Sequence, residues 1–137
     1  MSKNYWLIKS EPSTWSWNDQ LKDKISMWDG VRNYQARNNI MQMKKNDLCF
    51  FYHSVNEKSI VGIVEVVKEY YPDPTDESGK FAAIDVKAKS SLKKPVTLEK
   101  IKQNPKLKNI PLVKQSRLSV MPITKKQWDI ILKESIS

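Results

Sequence analysis

A chain of 137 residues with 39% hydrophobic and 28% charged residues is too apolar for intrinsic disorder and of the size of one folded unit, so a single domain over 1–137 is expected. The 24 Lys plus Arg against 15 Asp plus Glu leave a formal charge of +9, a field that favours polyanions. One Cys and one His exclude an internal disulfide and the multi-ligand sites of zinc fingers and zinc deaminases.

YWLIKS, Tyr5 to Ser10, is aromatic and partly β-branched and stops at Glu11-Pro12; proline drives the residue before it out of helical geometry, so a strand ending in a loop is predicted. In SWNDQLKD, Ser16 stands as an N-cap with Asp19 in the first turn and Trp17 and Leu21 on one face, which predicts a short helix. ISMWDG predicts a second strand closed by a turn at Asp29-Gly30. From Asn33 to Met43, the apolar Ala36, Ile40 and Met43 recur at helical spacing behind a cap at Asn33.

Asp47–Ser54 and Ser59–Tyr71 are strongly strand-like and predict a long hairpin joined by a polar loop, with Gly62 as a bulge or a point of close approach. YPDPTDESGK predicts a loop, FAAIDVKAKSSL a further strand and TLEKIKQN a short helix. NIPLVKQSRLSVMPI carries a strand near Leu118–Met121. Thr124 to Gln127 is a capping-box pattern, followed by the apolar stripe Trp128, Ile131 and Leu132 of a last helix. Alternating strands separated by short helices, without regular βαβ units, predict an α+β domain whose five- to six-stranded curved sheet closes toward a barrel.

The basic excess is uneven. Between Lys87 and Lys126 the lysines and arginines face a single acid, Glu99; this distribution fits a nucleic-acid partner and equally fits a lysine-rich solvated surface. Cys49, inside LCFFY, is expected to be a buried small hydrophobe. The amino terminus has no signal-peptide pattern and no apolar run is long enough to span a bilayer, so the chain is expected to be soluble and cytoplasmic, or nuclear in a eukaryote, with no membrane partner. Three glycines leave no phosphate-cradling loop, and no G-x-S-x-G elbow accompanies His53.

Polar residues instead gather where predicted elements begin or end: Lys9-Ser10-Glu11-Pro12, Trp28 to Asn33, Tyr52-His53-Ser54 and Gln115 to Ser119. Loops on a rigid sheet are where pockets form. YWLIKSEPSTW, WDGVRNYQARN, FFYHS, GIVEV with the following YP, and the late PL…RLSVMPIT, in that order over nearly the whole chain, closely resemble the EVE domain. EVE domains belong to the PUA-like superfamily with YTH and ASCH domains. The resemblance implies a PUA-like pseudo-barrel with short flanking helices that binds a modified, flipped base in DNA or RNA; because no nucleophile and base are recognisable at fixed spacing, a non-catalytic reader without cofactor or metal is expected, as a monomer.

Carried over onto this chain, the resemblance implies a base pocket of Ser10, Glu11, Pro12, Trp28, Val31, Arg32, Asn33, Tyr52, His53, Ser54, Phe81, Leu118 and Ser119, with Lys9, Arg32, Arg37 and Arg117 on phosphates. An extruded base needs a π-face to stack on and donors and acceptors for its polar edge, and guanidinium groups bond two phosphate oxygens at once. Where the family often has Trp, this chain has Phe81, which stacks but lacks the indole N–H, and its Pro72–Lys80 loop is short. Two other classes stay open: a small hydrolase of the ASCH-like kind using Lys9, Glu11 and Tyr52, and a small-ligand or protein-interaction module. Plain structural roles also stay open, with Trp28 as core, His53 as a strand-end histidine, and Arg32 and Arg117 paired with Glu11 or Asp29. Trp6, Trp15, Trp17 and Trp128 are expected in the core.

Overall fold

Aromatic and β-branched residues concentrate in six strands, which in this computed structural model describing residues 4–55 and 58–136 form one mixed sheet. The elements run β1 (Tyr5–Ser10), α1 (Trp17–Asp23), β2 (Ile25–Trp28), α2 (Tyr34–Gln42), β3 (Leu48–His53), β4 (Ser59–Pro72), β5 (Ala82–Thr97), α3 (Leu98–Gln103), α4 (Pro111–Lys114), β6 (Val120–Ile123) and α5 (Lys125–Glu134). The strand order is β2-β5-β4-β3-β1-β6. β1 and β3 pair in parallel, and the other neighbours are antiparallel. α2 packs against both β5 and the edge strand β6, and the Asn39 side-chain amide donates to the Val120 carbonyl at 2.7 Å.

The central strands β1 and β3 are buried almost throughout, because successive side chains point to opposite faces and both faces are covered. Phe50 stacks on Trp128 of α5, with ring centroids 3.7 Å apart. The next residue, Phe51, meets Trp17 of α1 at 5.1 Å and Trp28 of β2 edge-on at 5.5 Å. Each face of the sheet therefore has its own aromatic cluster, and Trp6, Trp17 and Trp128 are core as expected. Cys49 is buried, and burial pushes its thiol well above the usual range, which keeps it protonated and unreactive.

Local signals placed most elements. Ser16 caps α1 in a full capping box with Asp19, and Thr124 does the same with Gln127 in α5. Asn33 caps α2 by accepting from the Ala36 N–H at 2.9 Å. The face of α1 differs from expectation: Trp17 and Gln20 are buried, while Leu21 is 40% exposed. β5 is also longer than expected, sixteen residues, running past Pro95. The strand survives there because pairing jumps from Gly62↔Ser91 to Ile60↔Val96, a bulge that asks no N–H of proline. The segment before β6 contains a helix that sequence periodicity missed, α4, started by Pro111 at its first turn. Asn56 and Glu57 of the hairpin loop lie outside the described residues.

Gly62 is both of the things its place in a strand suggested. The β4 register shifts beside it, and a Cβ there would stand 2.2 Å from the Trp17 ring. The indole of Trp17 lies over the bare backbone and donates through Nε1 to Ser91 Oγ at 2.8 Å. Gly62→Ala must displace a buried ring, so a destabilisation of about 1–3 kcal/mol is expected, as for other overpacked core sites. Chemical denaturation reads it directly, and an unchanged unfolding midpoint would mean that the ring moves aside freely.

Candidate nucleic-acid interface

The stretch Trp28 to Asn33 makes one wall of a cavity. Trp28, opposite Ile84 of β5 in the sheet register, is only 8% exposed and rests against Phe51. Immediately after it the chain turns at Gly30, whose φ of +78° is strained for any residue with a Cβ. The turn is held from behind: the Gly30 N–H donates to Asp73 Oδ2 at 2.8 Å, and Arg32 Nη1 donates to the same oxygen at 3.0 Å. Asn33 then starts α2.

The opposite wall comes from the end of β1. The Ser10 hydroxyl donates to the Trp15 carbonyl, and the N–H groups of Thr14 and Trp15 both donate to the Glu11 carbonyl at 2.9 Å, curling the loop inward. The Lys9 N–H donates to the Ser119 carbonyl at 2.9 Å, which brings the segment before β6 to the same place. Between the walls lies a cavity of about 850 Å³, within the range of roughly 300–1,000 Å³ of small-ligand sites. Lys9, Ser10, Glu11, Trp28, Val31, Arg32, Asn33 and Ser119, all named from the sequence, line it.

Six further lining residues were not among the candidate positions, Thr14, Trp15, Asp23, Ile25, Ser26 and Met27, and Asp29 and Gly30 of the Trp28 to Asn33 stretch line it although they were not among the residues carried over. Trp15, expected in the core, is half-buried at the cavity, its indole N–H donating to Gln20 Oε1 at 2.9 Å. Its position beside the Glu11-Pro12 loop end was the available signal. Ile25, Met27 and Ser26 enter because β2 is an edge strand, which only the sheet order reveals.

The other residues named from the sequence do not line this cavity. Pro12 sits in the loop, while Tyr52 lies 3% exposed behind the wall with the Lys9 ammonium 5.9 Å from its ring centroid. Burial pushes the Tyr52 phenol up to about 12. His53 supports α1: its Nε2 accepts the Trp17 N–H at 2.9 Å, filling one of the helix's unpaired amide donors. The Ser54 N–H donates to the Ser10 carbonyl at 2.9 Å. Phe81 stacks on Tyr34, centroids 5.1 Å apart. Leu118 and Arg117 line a smaller cavity of about 350 Å³ with Gln35, Lys114, Gln115 and Ser116, and Asn33 borders both. Arg37 donates to the Lys80 carbonyl at 3.0 Å. The partner of Arg32 is Asp73, not Glu11 or Asp29.

Residues 4–134 match the EVE domain. The chain belongs to the EVE family. A Rhodopseudomonas palustris protein solved by NMR is 48% identical with a TM-score of 0.92, covering 96% of this chain and 92% of its own. Mouse thymocyte nuclear protein 1 is 36% identical over 168 residues, 94% of this chain and 72% of the relative. Human THYN1, crystallised in complex with 5-methylcytosine-containing DNA, is 33% identical with a TM-score of 0.91, covering 98% of this chain and 99% of its own. The six-stranded mixed sheet with five short helices is thus the PUA-like α+β architecture of EVE proteins.

In this EVE chain two charges shape the cavity. Burial lowers the pKa of the Lys9 ammonium from its ordinary value, and Nζ donates to the Ser116 carbonyl at 2.8 Å. Asp73 is 1% exposed. Burial alone would raise its carboxyl, but hydrogen bonds from the Thr75 hydroxyl, the Gly30 and Thr75 N–H groups and Arg32 outweigh that and hold it at about 2. Its ionised form therefore stabilises the fold fully above the ordinary value of 3.8, and that stabilisation is lost as pH falls through about 2. Asp73→Asn is expected to be less stable than the parent at neutral pH, with the gap narrowing as pH drops below about 4. Denaturation curves across pH check this; a gap independent of pH would show that the charge is not what holds the turn.

Proposed function

We propose that this protein is a non-catalytic reader of a modified base in nucleic acid, taking the extruded base into the cavity beside Trp28. The observation that carries this reading is the composition of the cavity: aromatic and apolar side chains, Trp15, Trp28, Val31 and Met27, alternate with polar and charged ones, Ser10, Asn33, Lys9 and Arg32. A flat base with a polar edge and an attached phosphate asks for that mixture. The similarity to human THYN1, whose structure contains 5-methylcytosine DNA, makes a methylated pyrimidine the first base to try.

The electrostatics support the same reading. The ammonium of Lys9 and the guanidinium of Arg32, the latter with its side chain 42% exposed, stand at the cavity. Arg117 and Lys114 line the adjoining hollow and continue the positive surface along one path for a backbone. Of the basic run after Lys87, Lys89, Lys100 and Lys125 have acidic partners at 3.9, 3.9 and 3.0 Å. Exposed pairs of that kind contribute little, so the run keeps its attraction for polyanions. The hydrolase alternative has less support: Lys9 and Glu11 line the cavity, but Tyr52 does not and is only 3% exposed.

Tryptophan-fluorescence titration with short strands bearing 5-methylcytosine or cytosine tests the reading. Preference for the modified strand at physiological salt is expected, and equal affinity would overturn it. Trp28→Ala is expected to weaken binding by about 1–3 kcal/mol, the worth of one base–aromatic stack, while Trp28→Phe keeps most of it. Arg117→Ala should lower affinity for both strands alike and reduce the salt slope by about one.

A further inference from the structure

Outside the cavity, at its edge, stands a cluster that base capture alone does not use. Tyr34, the first residue of α2 and next to the cavity residue Asn33, is 52% exposed. Its ring stacks on Phe81 at 5.1 Å with an interplanar angle of 27°. Each ring carries a guanidinium: Arg37 lies 4.8 Å from the Tyr34 centroid and Arg32 lies 5.4 Å from that of Phe81. A single exposed aromatic is ordinary on a protein surface. Two stacked rings with two cations, continuous with a cavity wall through Arg32, are a different arrangement.

We propose that Tyr34 and Arg37 form a stacking platform for the nucleotide that flanks the captured base in a single strand. This rests on the reading of the cavity as a base site. The chemistry fits one occupant. A nucleobase stacks on tyrosine and on guanidinium planes without regard to its identity, while the charge of Arg37 complements a phosphate beside it. Phe81 backs the tyrosine ring, so that the platform keeps its orientation when empty. Arg32, anchored on Asp73 at 3.0 Å, ties that backing to the turn that shapes the cavity. Extruding one base leaves its neighbour with an open face, and Tyr34 stands directly after the cavity residue Asn33.

The test measures anisotropy with three probes: a five-nucleotide strand with a central 5-methylcytosine, the same strand with abasic sites on both flanks, and 5-methyldeoxycytidine monophosphate. Tyr34→Ala is expected to weaken the full strand by about tenfold, the order of one lost stack. It should leave the mononucleotide and the abasic strand bound as by the parent protein, and Tyr34→Phe should bind all three as the parent does. Unchanged binding of the full strand by Tyr34→Ala would overturn the platform. So would a matching loss on all three probes with a lowered melting temperature, which would make the ring pair only a clamp on the Phe81 loop. Failure of the cavity reading looks different: deoxycytidine monophosphate, run as a fourth probe on the parent protein, would then bind as tightly as the methylated mononucleotide, while the comparison of full and abasic strands still reports the platform.

Discussion

One buried carboxylate organises the region that makes this protein more than a curved sheet. Asp73 accepts from the Gly30 and Thr75 N–H groups, the Thr75 hydroxyl and the Arg32 guanidinium, all within 3.0 Å. Those donors come from two segments far apart in the chain, the turn after β2 and the loop after β4. A charge taken out of water is tolerable only when it is matched by so many donors. Once matched, it fixes the turn, the turn fixes Trp28 on one side and the cap of α2 on the other, and that wall of the cavity follows.

Trp28 then belongs to core and site together. Its edge-on contact with Phe51 and its 8% exposure make it a packing residue; its place in the lining makes it a cavity wall. The two roles do not compete. A ring immobilised by packing on one side is pre-ordered for contact on the other, which removes the ordering cost that a free side chain would incur on binding. His53 and Tyr52 serve the site at one remove, holding α1 and the β1 end from behind.

The parts of this architecture decided by neighbours in the chain were legible in the sequence. Ser16, Asn33 and Thr124 cap the helices they precede because a side-chain oxygen reaches an amide two or three residues on. Gly62 announced a close approach, although not that Trp17 was what approached. Contacts between distant segments were not legible. Asp73 meets Gly30 across 43 positions, and nothing in YPDPT distinguishes that acid from Asp76 beside it. Trp15 looked like core because a tryptophan usually is, and Met27 looked ordinary until the sheet order placed β2 at an edge. The cavity contained eight of the residues named from the resemblance and left out Pro12, Arg37, Tyr52, His53, Ser54, Phe81, Arg117 and Leu118. Motif residues that pack behind a wall and those that form it look alike in a sequence.

The most direct measurement of base capture is a two-dimensional amide and indole NMR titration with a short strand carrying one 5-methylcytosine against the same strand carrying cytosine. Shifts specific to the methylated strand are expected at the Trp28 and Trp15 indoles and at the Gly30, Val31 and Arg32 amides. Shifts identical for the two strands and confined to the lysine-rich surface of β5 and α3 would contradict it.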